Sequence, residues 1–358
     1  MSGDAYSSLK AFRHLDVLRA ITAGEPARVP HVELILSNGC QHRCVFCAYR
    51  SAGYPSTQRF ADQIVMPESK AIEIVDDCAR IGVRAIQFTG GGEPTVHPGF
   101  ATVFGHALAL GLKTALVSNG IAVSAHGGHA DLIAHAAWVR LSMDAGSRAT
   151  YAAQRRCPDS HWDRFQTAVR MLRAARDRLG TDCVIGIGFV VTPFNWWETV
   201  EAARLARSLG ADNFRISAQF SVEDERLFDG FHAEAVSLCR EAEGVAGGGF
   251  VVYNRFGERL DQLRAKRPTF PVCGYQFLTT YVGADLQMYR CCALAYNEQG
   301  HLGSLEDQRF ADLWMSHERF ERQWRYDART CERCQFLGIN QTLAYVLDPQ
   351  PQLHEAFV

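Results

Sequence analysis

The chain has 358 residues, of which 47% are hydrophobic and 21% charged, with a formal net charge of −2. That length suits one large α/β domain plus an appendage. The near-neutral charge and scattered arginines leave no basic stripe for nucleic acid. The twelve cysteines read as metal ligands or reduced core thiols of a cytoplasmic protein rather than a secreted disulfide scaffold. The start lacks a charged segment followed by an apolar one, and the most apolar run, 184–191, is too short to span a bilayer.

In chain order, residues 8–21 predict a helix whose broad apolar face carries Leu9, Phe12, Leu15, Val17 and Leu18. An apolar strand at 32–36 follows. It leads into Asn38-Gly39-Cys40-Gln41-His42-Arg43-Cys44-Val45-Phe46-Cys47-Ala48-Tyr49. The C-x3-C-x2-C spacing puts three thiols on one short loop. A structural tetrahedral site wants four closed ligands, whereas a site that does chemistry keeps one position open. A cubane iron–sulfur cluster held by three thiolates leaves one iron free. The alternatives are a zinc site completed by His42 or a distant residue, and three unrelated core cysteines.

Residues 67–81 predict a helix with Ala71, Ile74, Val75, Cys78 and Ile81 on one face. Gly82 ends it, a strand runs over 83–88, and Thr89-Gly90-Gly91-Gly92-Glu93-Pro94 follows. Consecutive glycines at a strand end let a ligand approach the backbone. Glu93 offers an acceptor for an ammonium, and Pro94 stiffens the exit. Alone, this is also an ordinary glycine-rich βα turn.

The pattern of helix, glycine and strand recurs. Gly111 precedes a strand at 112–117 and Gly210 one at 211–216, with further strands at 138–142 and 184–191. Glycine past a helix end supplies the left-handed cap that turns the chain into the next strand. Such alternation implies a parallel sheet with ligands at the carboxyl ends of its strands. About six βα units fit between residues 30 and 240, which is a partial TIM-like (β/α)6 barrel. The polar strand tips face one mouth: Ser118-Asn119-Gly120, Ser142-Met143-Asp144, Thr192 with Asn195, and Arg215 with Ser217. Helix capping is the other reading of these tips. Arg155, Arg156, Asn195, Glu198 and Arg215 are candidate substrate contacts, and Trp196-Trp197 walls the mouth or packs the core.

The glycine-rich stretch 244–249 marks a boundary. The expected organisation is a helical extension at 1–29, the barrel at 30–243, a connector at 244–272, a cysteine-rich module at 273–337 and a tail at 338–358. In the module, strands at 277–281 and 286–289 form a hairpin around Gly283 that brings Cys273 and Cys291 together. A helix-like stretch, 305–324, returns the chain to Cys331 and Cys334. Four thiolates close a metal site, and zinc satisfies that description too.

Taken together, these motifs strongly resemble the radical S-adenosylmethionine (SAM) superfamily, in the branch with a twitch module, the shortened relative of the SPASM domain. The resemblance covers roughly residues 30 to 335. It implies that Cys40, Cys44 and Cys47 hold a [4Fe-4S] cluster whose open iron is chelated by SAM. Gly91, Gly92 and Glu93 would contact SAM, with Phe46, Asn119 and Ser142 near it. Cys273, Cys291, Cys331 and Cys334 would bind one auxiliary [4Fe-4S] cluster. No cysteine follows Cys334, so no second auxiliary cluster is expected. The family's glycine ahead of the hairpin cysteine is Leu286 here. Cys292 either replaces Cys291 as ligand or points into the mouth as a hydrogen-atom donor. Tyr296 is a second donor candidate, with Cys157 and Tyr275 behind it, while Cys78, Cys183 and Cys239 read as core thiols.

The implied activity is reductive cleavage of SAM to a 5′-deoxyadenosyl radical, which abstracts a hydrogen atom from the substrate. A closed auxiliary cluster suits outer-sphere electron transfer. The expectation is therefore oxidation of a small biosynthetic metabolite such as a sugar, aminocyclitol or nucleoside. The alternatives are a redox-neutral epimerase or decarboxylase, a peptide-modifying maturase, and a metal-binding protein without radical chemistry. The expected electron donor is a flavodoxin or ferredoxin, and neither nucleic acid nor membrane is an expected partner.

Overall fold

The computed structural model describes residues 5–51, 58–220, 224–265 and 267–348. Six strands follow in chain order: β1 (His31–Leu34), β2 (Ala85–Phe88), β3 (Lys113–Ser118), β4 (Trp138–Ser142), β5 (Val184–Val191) and β6 (Asn213–Ala218). Each pairs in parallel with the next. A seventh parallel strand, β7 (Val251–Arg255), extends the run beyond β6. On the other flank, β8 (Thr279–Val282) pairs in parallel with β1. The antiparallel strands β9 (Gln287–Tyr289) and β10 (His301–Ser304) complete a ten-stranded sheet, ordered β10-β9-β8-β1-β2-β3-β4-β5-β6-β7.

The expected class holds: a partial TIM-like α/β core joined to a C-terminal cysteine-rich module. Two details differ from expectation. The stretch 244–272 carries β7 and a helix, Phe256–Arg264. The module is also not hung on a linker, because β8 is hydrogen-bonded into the barrel's own sheet.

Side chains alternate across the strands. Val32, Leu34, Ile86, Phe88, Leu116, Val139, Leu141, Ile185, Ile187, Phe189, Phe214 and Ile216 pack outward into one continuous core. The opposite face lines the barrel interior with a different set, including Glu33, Gln87, Arg140 and Gly186. Cys78, Cys183 and Cys239 are buried, as expected, and all twelve cysteines are free of disulfides. Among the described residues, no helix is long and apolar enough to cross a membrane.

In the module, residues 275–278 form a helical turn (Tyr275–Leu278), so the first hairpin strand begins at Thr279. The helix-like stretch splits into Phe310–Met315 and His317–Trp324. The break falls at Ser316, whose hydroxyl caps the second helix by accepting from the Arg319 N–H at 3.2 Å. Leu286 takes a left-handed conformation, φ 60°, which for a residue with a Cβ costs about 1 kcal/mol. The hairpin turn still closes through Leu286 N–H to Gly283 O at 3.0 Å and Gly283 N–H to Gln287 O at 2.9 Å. Leu286 therefore keeps the geometry a glycine would supply there.

Candidate active site

The cysteine loop leaves the end of β1 and the glycine loop leaves the end of β2. The two are laced together: Gly92 N–H donates to Ser37 O at 3.2 Å and Glu93 N–H to Gly39 O at 2.8 Å. A Cβ on Gly92 would collide with the carbonyl of Gly39, one on Gly91 would lie 2.6 Å from Asn38 Oδ1, and one on Gly90 would strike the carbonyl of Gly92. Close approach of two protein loops, not only of a ligand, therefore requires Gly91 and Gly92, and the turn within the glycine loop itself requires Gly90.

Every residue that the resemblance assigns to the first cluster and to SAM lines one cavity of about 260 Å³: Cys40, Cys44, Cys47, Phe46, Gly91, Gly92, Glu93, Asn119 and Ser142. Each of the three sulfurs receives an N–H. His42 N–H lies 3.4 Å from Cys40 Sγ, with Asn119 Nδ2 at 3.8 Å. Arg155 Nη1 lies 3.5 Å from Cys44 Sγ and Arg50 Nη1 3.6 Å from Cys47 Sγ. Such donors favour thiolate ligands. Burial, aided by the Glu93 carboxylate, pushes the Cys40 thiol up to about 11. Without a metal it stays protonated at neutral pH, and metal ligation would remove that proton.

Arg50 was not singled out by sequence. Besides Cys47 it donates to Gly91 O at 3.0 Å and Asn38 O at 2.6 Å, and it pairs with Asp62 at 2.7 Å. Arg155 was a candidate substrate contact. It ends the helix Arg148–Arg155, lines the first cavity and packs against the cluster loop, in a buried ion pair with Asp144. Glu93 is raised by burial, offset by its hydrogen bonds from Asn119, Thr95 and Ser118. Its Oε1 accepts from the Thr95 N–H and hydroxyl and from Ser118 Oγ, and its Oε2 from Asn119 N–H at 2.7 Å. Oε2 keeps capacity for one further donor.

In the module, Cys273, Cys291, Cys331 and Cys334 form one electrostatic neighbourhood. Burial is the main cause raising each thiol, and the neighbouring sulfurs push Cys273 to about 12 and Cys291 up as well. Tyr326 Oη lies 2.8 Å from Cys331 Sγ and Asn340 Nδ2 3.5 Å from Cys334 Sγ. Cys292 belongs to other surroundings. Its sulfur accepts from Gln335 Nε2 at 3.1 Å, and burial, Glu33 and Cys291 hold its thiol up. Among the described residues, neither thiol set gathers three sulfurs within 4.8 Å of one another. Sulfurs sharing one tetrahedral zinc stand roughly 3.8 Å apart. Both donor sets therefore fit a polynuclear iron–sulfur group better than a single ion.

His42 does not complete the first set. Its Nε2 lies 3.0 Å from His161 Nδ1, and these rings group with Cys157 within 4.8 Å. Asn195 is buried and braces the Asp144 carbonyl at 3.0 Å. Glu198 accepts from Gly146 N–H at 2.6 Å and from the Ser147 and Thr150 hydroxyls at 2.7 Å. Arg156 ends its helix in a left-handed conformation. Trp196 stacks on Phe231 while Trp197 is exposed. Tyr296 is buried and donates to Asn38 Oδ1, so its hydroxyl is engaged beneath the glycine loop.

A second, larger cavity of about 730 Å³ occupies the interior toward the amino ends of the strands. Glu33 lines it. Burial raises this carboxyl to about 7, with Arg140 and the Cys292 thiol pulling the other way, and its Oε2 has no hydrogen-bond partner. Tyr49 lines the first cavity, and after burial Cys292 and Glu33 are among the groups that hold its hydroxyl protonated. Sequence reading passed over Glu33; a lone acid inside an apolar strand was the available signal.

Solved structures share this fold. Streptococcus suis SuiB bound to S-adenosylmethionine superposes with a TM-score of 0.64 at 14% identity, covering 88% of this chain and 72% of that one. Native anSMEcpe with bound AdoMet gives 0.59 at 15% identity, covering 87% and 89%. The radical SAM superfamily model matches residues 34–214, and an iron–sulfur cluster-binding (SPASM) domain model matches residues 273–335. The chain belongs to the radical SAM superfamily and carries a SPASM-type module, so its cofactors are a [4Fe-4S] cluster, SAM and auxiliary iron–sulfur. A curated relative, an S-adenosylmethionine-dependent nucleotide dehydratase of Flammeovirga pacifica, is 30% identical over 142 residues, 38% of this chain. The chain matches about half (46%) of that relative's length.

Proposed function

We propose that the protein is a radical SAM oxidoreductase acting on a small biosynthetic metabolite: a sugar, an aminocyclitol or a nucleoside. Cys40, Cys44 and Cys47 hold the SAM-binding cluster, and Cys273, Cys291, Cys331 and Cys334 hold one auxiliary [4Fe-4S] cluster. Bound there, these groups supply the 5′-deoxyadenosyl radical and an acceptor for a second electron. The observation that carries the reading is the divergence of two adjacent cysteines: Cys291 faces the auxiliary thiols while Cys292 faces Glu33 at the interior cavity. Glu33, Tyr275 and Thr279 line that cavity, so a substrate radical there would stand beside the module that carries the auxiliary thiols. Glu33, raised to about 7, takes the hydroxyl proton as the carbon is oxidised to the carbonyl level. Arg50 and Arg155 hold the cluster loop and its sulfurs in place. A flavodoxin or ferredoxin supplies the first electron, in a reducing cytoplasm.

A redox-neutral outcome is the second reading. The Cys292 thiol beside Glu33 suits return of a hydrogen atom, as an epimerase requires, and the curated relative's name points to dehydration of a nucleotide. The test is product mass after anaerobic turnover of reconstituted enzyme with SAM, dithionite and a metabolite panel. Loss of two hydrogens supports oxidation. Unchanged mass with solvent deuterium supports epimerisation, and loss of water supports dehydration.

A further inference from the structure

We propose that His42, Cys157 and His161 form a separate mononuclear metal site of the zinc class, which clamps the cluster loop to the two helices that follow β4. The site does not rest on the oxidation reading.

Two of the three groups are close in sequence. Cys157 and His161 stand in the spacing C-x3-H, with Pro158 between them. The helix Arg148–Arg155 stops at Arg156, in a left-handed conformation, and the next helix runs Ser160–Leu179. The turn between them is tied by Cys157 N–H to Ala152 O at 3.2 Å and by His161 N–H to Pro158 O at 2.9 Å. Cys157 therefore follows the end of one helix and His161 opens the next.

The third group comes from the cluster loop. His42 lies between Cys40 and Cys44, and the loop beyond it is pinned to the end of the first helix. Arg43 N–H donates to Arg155 O at 3.0 Å and Val45 N–H to Gln154 O at 2.9 Å. His42 Nε2 then stands 3.0 Å from His161 Nδ1. One ligand atom from each of His42, Cys157 and His161 falls within 4.8 Å of the other two. Among the described residues no other trio of His, Cys, Asp or Glu donors does so. Nitrogen and sulfur atoms that share one tetrahedral zinc stand roughly 3.3–3.6 Å apart. Ligation therefore asks for side-chain adjustment, with the loop and both helices already in place.

Two buried polar atoms beside the trio have no partner. His42 is 1% exposed, and its Nδ1 makes no hydrogen bond. Whichever nitrogen of that ring carries the proton, Nδ1 is a buried donor or acceptor left over. Tyr151 is fully buried, T-shaped against the His42 ring with centroids 6.0 Å apart, and its hydroxyl is also unpartnered. Buried polar groups that serve packing alone are normally hydrogen-bonded. An ion with a water on its open position would bring polar partners into this spot.

The donor set selects the ion. Two imidazoles and one thiolate are a borderline-soft set that suits zinc, with the fourth position left to solvent. Cys157 and His161 are only half-buried, so an ion reaches them from outside. The Asp159 carboxylate acts on the Cys157 sulfur and favours a cation there. Of the neighbouring cations, Arg155 is paired with Asp144, and Arg164 donates to Ile121 O at 3.3 Å.

The test uses Zn2+ as the probe and the cluster-reconstituted enzyme as the protein. After incubation with zinc and gel filtration, wild type should retain about one zinc per chain with its iron unchanged. X-ray absorption at the zinc edge reads this ion apart from iron. It should report one sulfur at about 2.3 Å and two nitrogens at about 2.0 Å. Zinc should also raise the melting temperature of wild type. Cys157→Ser and His161→Ala should each weaken zinc binding by more than about 100-fold, the upper range for losing a mere supporting partner. Their iron should be unchanged, and zinc should no longer raise their melting temperature. Melting without zinc establishes that each variant is folded, and the coordination shell of wild type decides the matter if one is not. No zinc retained by wild type, an all-sulfur shell with iron displaced, or equal zinc binding by the folded variants would overturn the proposal.

Discussion

Glu33 on β1 acts on Cys292, the residue that follows an auxiliary-site cysteine, and its carboxyl adds to burial in holding that thiol protonated. Burial raises Glu33 from 4.5 to about 7, so it titrates where a proton acceptor is useful. Turnover should rise with pH through about 7, and Glu33→Gln should abolish that limb and slow product formation by about 100-fold. Stability carries the opposite sign. A carboxyl whose folded value is raised binds more protons in the native state, so stability falls as pH climbs from 4.5 through about 7. Glu33→Gln should flatten that decline in melting temperature.

Replacing the adjacent cysteines separates their roles. Cys291→Ala should lower iron from about eight to about four atoms per chain and stop product formation, while deoxyadenosine release continues. Cys292→Ala should keep all the iron. The reverse pattern, with iron lost only from Cys292→Ala, would exchange the two assignments.

Arg50 ties Cys47 to the Gly91 and Asn38 carbonyls. Arg50→Met removes these donors while keeping the stem. Supporting partners of metal ligands cost about 10–100-fold when lost. SAM cleavage should fall by that order, with a shifted potential of the first cluster in redox titration.

Asp77 fastens the barrel to the module. Its carboxylate accepts from Arg309 Nη2 at 2.6 Å and from the Ala311 N–H at 3.1 Å. Burial opposes its charge, but the Arg309, Ala311 and Arg80 hydrogen bonds outweigh that and hold the carboxyl below its usual 3.8. Its contribution is present above about 3.8 and is lost as pH falls through the lower folded value. Asp77→Ala leaves the Ala311 N–H without its acceptor, a loss of ~1–3 kcal/mol that thermal denaturation near neutral pH should register.

Much of this architecture was legible in the sequence, because β4 and β5 are apolar runs bounded by turn residues and their limits agree with expectation. Strand β7 was not, since Val251-Val252-Tyr253-Asn254-Arg255 follows a glycine run and loses its apolar character after two residues. The start of β8 was displaced because Tyr275-Gln276-Phe277-Leu278 alternates like a strand but closes a helical turn against Asn340, whose Oδ1 accepts the Tyr275 N–H at 2.8 Å. The cysteine and glycine motifs carry their chemistry locally and were readable. Arg50 and Glu33 act through contacts between distant segments, which spacing along one chain does not encode.

The most direct test is the mass and stoichiometry of product from a single anaerobic turnover of the fully reconstituted enzyme. Two hydrogens lost from the metabolite for each deoxyadenosine formed, with the auxiliary cluster reduced by one electron in the spectrum, is the outcome predicted here. A product of unchanged mass, or one lighter by water, with that cluster still oxidised, would contradict it.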